Sequence, residues 1–188
     1  YESSAETFIY TETSLRNKSL LDVQNNLIRS GLEASAAIQG KADVVNVLAF
    51  DEIQGGNPFT EELASKQQLL LQKESFFDKF EDPISGSYFV ENVSEIMAKN
   101  DLEILQKIEA DGGFLQGLFN GSIQKMIQKS AEKEQQAFDE GKIILIGVNK
   151  FRNPADQISK VEKPINEIRT QIQPIYPKRL AESIENTL

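Results

Sequence analysis

Val44-Val45-Asn46-Val47-Leu48-Ala49-Phe50 is almost continuously apolar and runs into Asp51-Glu52. A strand wetted on one side alternates apolar with polar residues. A parallel strand covered on both faces reads instead as an unbroken apolar run. These seven residues therefore predict a parallel strand buried on both faces, with Asp51-Glu52 as its polar exit. The carboxyl ends of such strands are where open α/β sheets and barrels present functional groups. Asp51 and Glu52 are thus site candidates, against the plainer reading of a solvated strand end.

Upstream, Thr7-Phe8-Ile9-Tyr10-Thr11 is a β-branched and aromatic run that predicts a first strand. Between the two, Asp22 is placed to cap a helix. Val23, Leu27, Ile28, Leu32, Ala36 and Ile38 follow as its inward face, and Gly40 sits at the C′ position. Downstream, Asn57-Pro58 reads as an N-cap followed by proline in the first turn. Phe59, Leu63, Leu70, Leu71, Phe77 and Phe80 then carry one helix to Asp82-Pro83, where the residue before proline avoids the α region.

Ser87-Tyr88-Phe89-Val90 predicts a short third strand. The helix after it faces inward with Val93, Ile96, Met97, Leu102, Leu105 and Ile108, and stops at Gly112-Gly113. Ile123, Met126, Ile127, Ala131 and Phe138 mark a further helix closed by Gly141, and Ile143-Ile144-Leu145-Ile146-Gly147-Val148 predicts a last strand. Beyond Phe151, Pro154, Pro164, Pro174 and Pro177 punctuate a charged tail. It reads as linker, with room for a helix between Pro154 and Pro164 or shortly after. Strands alternating with helices predict an α/β chain with a parallel sheet. Four strands are half of the eight that a closed barrel needs, so a small open domain and a portion of a larger barrel both remain open.

Composition narrows the function. The 188 residues carry a net charge of -9 and no basic patch, which disfavours nucleic acid as a partner. No run approaches the roughly 18 apolar residues of a membrane span. Tyr1-Glu2-Ser3-Ser4-Ala5-Glu6 has the marks of no signal peptide, so a cytoplasmic location is expected. There is no Cys and no His. Thiol catalysis, a Ser-His-Asp triad and His-based zinc ligation within this chain are excluded. Glu91, Glu95, Glu109, Asp111, Asp139 and Glu140 offer paired carboxylates, but on amphipathic helices they read as solvated faces. Gly112-Gly113 reads as a helix stop rather than a phosphate cradle, since no glycine-rich nucleotide motif surrounds it. In Asp82-Pro83-Ile84-Ser85-Gly86-Ser87, small residues would let the backbone approach a ligand closely, against the reading of a tight helix-to-strand turn.

Several stretches together resemble the methylmalonyl-CoA mutase family of cobalamin-dependent isomerases. Asp82-Pro83-Ile84-Ser85-Gly86-Ser87-Tyr88-Phe89-Val90-Glu91 is similar to its DPxGGSYxVE stretch, with Ser85 in place of the first glycine. Gly112-Gly113 falls at its glycine pair, and Gly147-Val148-Asn149-Lys150-Phe151 at its VGVNKY run. Asn25-Asn26-Leu27-Ile28-Arg29 and Glu33-Ala34-Ser35-Ala36-Ala37 match its NNxxR and EAxAA helix. The set lies in one register over residues 8 to 151.

The resemblance implies the later portion of a (β/α)8 TIM-type barrel over residues 1–151, followed by a mostly extended or helical linker over 152–188. It also implies that the earlier strands lie elsewhere, and hence that an isolated chain seeks partners for its open strand edges. The family's active chain has an RTHSQTSG-like strand. Here Phe8 stands at its arginine and Tyr10 at its histidine, which helps hold the substrate thioester carbonyl. In the next strand, similar to LHTNALDE, the histidine is Asn46. The asparagine that contacts the adenosyl group together with the glutamate is Leu48, and that glutamate persists as Glu52. The DxHxxG motif that supplies the lower cobalt ligand is missing.

This pattern is similar to the small (beta), non-catalytic subunit of heterodimeric mutases. Adenosylcobalamin and acyl-CoA chemistry would then belong to a catalytic large subunit as partner, with no cofactor in this chain. Two other readings stay open. One is part of an active acyl-CoA mutase whose site is completed by its missing N-terminal half. The other is an unrelated small α/β binding module.

Overall fold

Two short strands, β1 (Tyr10–Glu12) and β2 (Val44–Asn46), pair in parallel, with Tyr10 opposite Val44, Thr11 opposite Val45 and Glu12 opposite Asn46. The structure, a computed structural model, describes residues 7–158 and 171–188. The helices are α1 (Asn25–Gln39), α2 (Pro58–Lys73), α3 (Tyr88–Ala110), α4 (Gly113–Asn120), α5 (Ser122–Asp139) and α6 (Glu182–Glu185). The chain is thus mixed α/β and mostly helical. Its described residues form two units. One comprises 7–84, 145–158 and 179–188, and the other 85–144 and 171–178.

In the first unit the sheet has one covered and one open face. Val45, Val47 and Ala49 alternate toward α1 and α2, where Val47, Ala34 and Ala64 are buried together and Val45 and Leu71 pack against them. Val44, Asn46 and Leu48 alternate to the other side, and Val44 is 39% exposed. Only Val44–Asn46 of the expected seven-residue strand is paired, and among the described residues the run is covered on one face, not two. An unbroken apolar run records what a strand is built to touch, and half of these contacts are not supplied by the described residues.

Helix α1 corrects the expected inward face. Its buried stripe is Asn26, Ser30 and Ala34, at intervals of four, whereas Ile28 and Leu32 are 64% and 68% exposed. Asn26 is turned inward because it bonds backbone carbonyls of the loops that follow the two strands, Ser19 O and Phe50 O. The larger apolar residues instead line an open groove with Leu70 and Leu71 of α2. Asp22 does not cap α1: it has φ +45, and Gln24 is the N-cap, without a side-chain bond. Lys41, not Gly40, takes the left-handed conformation after the helix. Helix α2 starts as expected. Asn57 Oδ1 accepts from Phe59 N at 3.0 Å and from Thr60 N at 3.2 Å, and Thr60 Oγ1 accepts from Asn57 N at 3.0 Å. This reciprocal capping box satisfies amides that the helix itself leaves open. The expected single helix to Phe80 breaks at Lys73, and a short 3₁₀ turn, Phe77–Lys79, follows a left-handed Phe76.

In the second unit, Ser87-Tyr88-Phe89-Val90 is not a strand. Tyr88 opens the 23-residue α3. The β-prone side chains are overridden by the apolar period they begin and by Glu91, whose carboxylate accepts from Gly86 N at 2.9 Å at the helix start. None of the residues of α3 is buried. Ile96, Met97, Leu102 and Leu105, expected inward, are about half exposed or more. Gly112-Gly113 stops α3 as expected, but α4 starts directly at Gly113, a helix the sequence reading did not foresee. Gly117 lets α4 meet α5, because a Cβ there would lie 2.8 Å from Ile123 Cγ1. Ile123 and Phe138 are buried as expected, while Met126 and Ile127 are each 46% exposed.

The expected last strand, Ile143 to Val148, is instead a turn. Ile146 makes one isolated bridge to Lys150, Gly147 N donates to Lys150 O at 2.8 Å, and Leu145 N donates to Asn149 Oδ1 at 2.8 Å. A strand needs a ladder partner, and neither described strand pairs with this segment. Leu145 and Val148 are nevertheless buried. Gly147, at φ +82, is required where a Cβ would stand 2.8 Å from Asp22. The helix expected around Pro154 to Pro164 falls largely outside the described residues.

Candidate functional site

The open face of the sheet carries a connected polar group. Strand parity puts Tyr10 and Glu12 on one side of β1, and parallel register sets Asn46 opposite Glu12. The Asn46 amide Nδ2 donates to Glu12 Oε2 at 2.8 Å, and the Tyr10 hydroxyl donates to the same oxygen at 3.2 Å. One carboxylate thereby gathers two of the residues singled out from the sequence. Glu12 itself was not singled out. The only available signal was its place two residues beyond Tyr10 in an extended run.

Phe8 precedes β1 and is 70% exposed, and Leu48 follows β2 and is half-buried. Both continue the alternation of the open face and add apolar surface at its edges. Leu48 is held through its backbone, its N–H donating to Thr13 Oγ1 at 3.0 Å. Glu52 is exposed in the 3₁₀ turn Glu52–Gln54. No hydrogen bond among the described residues joins its side chain to Tyr10, Asn46 or Leu48. Its neighbour Asp51 accepts from Asn57 Nδ2 at 3.0 Å and so belongs to the start of α2.

Behind this face, the loops leaving the two strands are tied by Asn26. Its Nδ2 donates to Ser19 O at 2.8 Å and to Phe50 O at 3.0 Å. Its Oδ1 accepts from Ser19 N at 3.1 Å and from Arg29 Nη1 at 2.7 Å. Two donors and two acceptor sites are all an amide has, and here each is used. Arg29 Nη2 also donates to Ile146 O at 2.7 Å. The Asn25-Asn26…Arg29 motif is thus a structural hub, a role its spacing did not reveal. Burial lowers the Arg29 pKa, against the pull of Asp22 and Glu33. Burial likewise lowers that of Lys18, while its 2.7 Å bond to Glu33 works in the opposite direction.

The remaining candidates do not join this group. The Asp82–Ser87 segment is a turn leading into a helix. A Cβ on Gly86 would meet nothing within 4 Å, so its glycine serves a backbone of φ +76 rather than close packing. Glu95 pairs with Lys99 at 2.6 Å along α3, and Glu140 with Lys142 beyond α5, as solvated ion pairs do. No group of His, Cys, Asp and Glu among the described residues is arranged to hold a metal ion, and no described helix is long and apolar enough to cross a membrane.

The sequence matches the family profile described as methylmalonyl-CoA mutase over residues 1–186. It is 34% identical over 151 residues to the methylmalonyl-CoA mutase small subunit of Porphyromonas gingivalis, covering 80% of this chain and 24% of that protein. It is equally 34% identical to the methylmalonyl-CoA mutase of Escherichia coli over 132 residues, 70% of this chain and 18% of that one. For the large subunit of Propionibacterium freudenreichii subsp. shermanii the figure is again 34%, over 144 residues, 76% of this chain and 20% of that one. The chain therefore spans a quarter or less of these relatives, and small and large subunits resemble it equally. With this ordered match over nearly its whole length, the chain belongs to the methylmalonyl-CoA mutase family, a family of cobalamin-dependent isomerases.

Proposed function

We propose that these residues belong to the small, non-catalytic subunit of a heterodimeric methylmalonyl-CoA mutase, in which the partner large subunit isomerises methylmalonyl-CoA and succinyl-CoA. Residues 1–151 are the later part of its barrel and 152–188 the tail that follows it. The observation that carries this reading is Glu12, whose carboxylate takes up both the Tyr10 hydroxyl and the Asn46 amide. The Tyr10 hydroxyl and one Asn46 amide hydrogen, which would otherwise be offered to a thioester carbonyl, are both bonded to Glu12. A methylmalonyl group also brings its own carboxylate, which Glu12 repels. Phe8 and Leu48 offer that wall no hydrogen bond. A polar site discriminates by pairing, and here the donors are absent or drawn toward Glu12.

The donor set fits adenosylcobalamin poorly. The chain contains no His and no Cys to ligate cobalt, and Leu48 has no amide to hold the adenosyl group. The role left to these residues is structural, burying the open sheet face and edges in the assembly. A second reading, part of an active acyl-CoA mutase, is favoured by Glu52 alone, which is exposed at the carboxyl end of β2. Turnover assays on the complete polypeptide carrying these residues decide between them. Supplied with adenosylcobalamin and methylmalonyl-CoA, it is expected to be inactive alone and to form a one-to-one complex with a catalytic large chain. The Tyr10→His variant is expected to stay inactive. Turnover by the unpartnered polypeptide would overturn the proposal in favour of the second reading.

A further inference from the structure

The segment after Lys178 is built into the first unit by a buried ion pair. Arg179 and Glu185 are 8% and 7% exposed, and between them Leu180 and Ala181 are 4% and 0% exposed. Arg179 Nη2 donates to Glu185 Oε2 at 2.6 Å and Nη1 to Oε1 at 3.0 Å, the two-pronged geometry that a guanidinium and a carboxylate share. Neither charge is spent on the pair alone. Glu185 Oε1 also accepts from Ser19 Oγ at 2.9 Å and from Leu20 N at 2.7 Å. Arg179 Nη1 also reaches Lys18 O at 3.3 Å, and Leu180 N donates to Arg16 O at 3.0 Å. Every one of these partners lies in residues 16–20, the loop that leaves β1.

Removing two charges from water is unfavourable unless each is fully bonded. The arrangement is therefore satisfied in one loop conformation and unsatisfied in others. The restraint does not end at the loop. Ser19 is 0% exposed, and its backbone N–H and C=O are both bonded to Asn26, whose second amide hydrogen goes to Phe50 O. The peptide after Phe50 opens the turn that presents Asp51 and Glu52.

We infer that Arg179 and Glu185 are positioning residues: through Ser19 and Asn26 they set the conformation of both loops at the carboxyl end of the sheet. The C-terminal segment is a clasp on the strand exits, and Glu52 is aimed by residues more than a hundred positions away in sequence. This holds whether the chain is catalytic or supporting, because it concerns the placement of the strand exits and not what binds there.

Hydrogen–deuterium exchange on the complete chain tests it, with Glu185→Gln and Ser19→Ala. Glu185→Gln keeps the shape and removes the charge; Ser19→Ala leaves the ion pair intact and removes both bonds of the hydroxyl, the one it donates to Glu185 and the one it accepts from Leu21 N at 2.9 Å. The expected result for Glu185→Gln is exchange at least tenfold faster across residues 16–21 and, through Asn26, across the bonded amides of 52–55. Amides in the middle of α2 and α5 should keep their rates. Ser19→Ala should speed Leu20, whose N–H is bonded to Glu185, to a smaller extent, apart from the direct loss at Leu21. Unchanged rates at 16–20 in both variants would overturn the clasp. Faster exchange at 16–21 with 52–55 unchanged in both would overturn the link to the second strand exit. Equal acceleration of loops and helices in both variants would reduce the pair to a general stabiliser and overturn positioning. A Glu185→Gln chain that fails to fold leaves Ser19→Ala to decide, by the same pattern.

Discussion

Replacing Asn26 by alanine removes four hydrogen bonds at one stroke, and the surroundings of each fix the expected loss. Ser19 is 0% exposed, so its N–H and C=O, bonded to Asn26 at 3.1 and 2.8 Å, have no water to turn to. A buried group left without a partner costs about 1–3 kcal/mol, which gives about 2–6 kcal/mol for the two. Phe50 O and Arg29 are only half-buried, and water recovers much of their bonding. The expected destabilisation is therefore about 3–5 kcal/mol, a large share of the total stability of a small domain. Asn25→Ala is the matched control. Asn25 is half-buried and its Nδ2 donates to Asp22 Oδ2 within one turn, so its loss should cost about 1 kcal/mol or less. Urea denaturation of wild type and both variants, extrapolated linearly, measures the difference. Asn26→Ala within about 1 kcal/mol of Asn25→Ala would refute the hub, and with it the route by which the C-terminal segment reaches the second strand exit.

Two further outcomes are expected. Gly117→Ala sets a gain of about 0.5–1 kcal/mol from helix propensity against the overlap with Ile123 at 2.8 Å, worth about 1–3 kcal/mol, so it should destabilise α4 and α5. In an Ile123→Ala background the overlap with the isoleucine is relieved and the contact with Ser122 Oγ at 3.1 Å remains, so the same change should cost less than in wild type. An equal cost in both backgrounds, read by denaturation, counts against the packing described. Lys18 gives a pH dependence. Its pKa is lowered in the folded chain from 10.5, chiefly by burial, so between the lowered value and 10.5 the unfolded chain holds a proton that the folded chain has released. Stability from this group should rise with pH across that window, the reverse of an exposed lysine that gains a partner. The stability difference between wild type and Lys18→Met should change accordingly in the alkaline range; a difference that is flat with pH would refute the burial effect.

Glu12 and Glu185 mark where reading the sequence stopped short. Glu12 lies two residues past Tyr10 in an extended run, so its face was legible, but its bond to Asn46 depends on the register of two strands that are 34 residues apart. Glu185 sits in a proline-punctuated tail with the composition of a linker. Its burial depends on a loop 165 residues away, and no local pattern encodes that. The failure at Ser87 to Val90 has another cause. Four β-prone residues cannot be told from the first turn of a long helix until the apolar spacing beyond them is weighed as one period.

The sequence by itself determined the helices with strong local signals. The Asn57-Pro58 start of α2, the Gly112-Gly113 stop of α3 and the apolar ends of α5 are all decided by interactions within a few residues. Its ordered motifs also carried the family, because register along a chain is a property of the chain alone. Only the tertiary structure decided which face of each strand and helix is covered. Ile28 and Leu32 were apolar enough to be core and are on the surface, while Asn26 and Arg179 were polar enough to be surface and are inside. Their burial is tolerated because their hydrogen bonds are met, and those partners are brought together by folding from positions far apart in sequence.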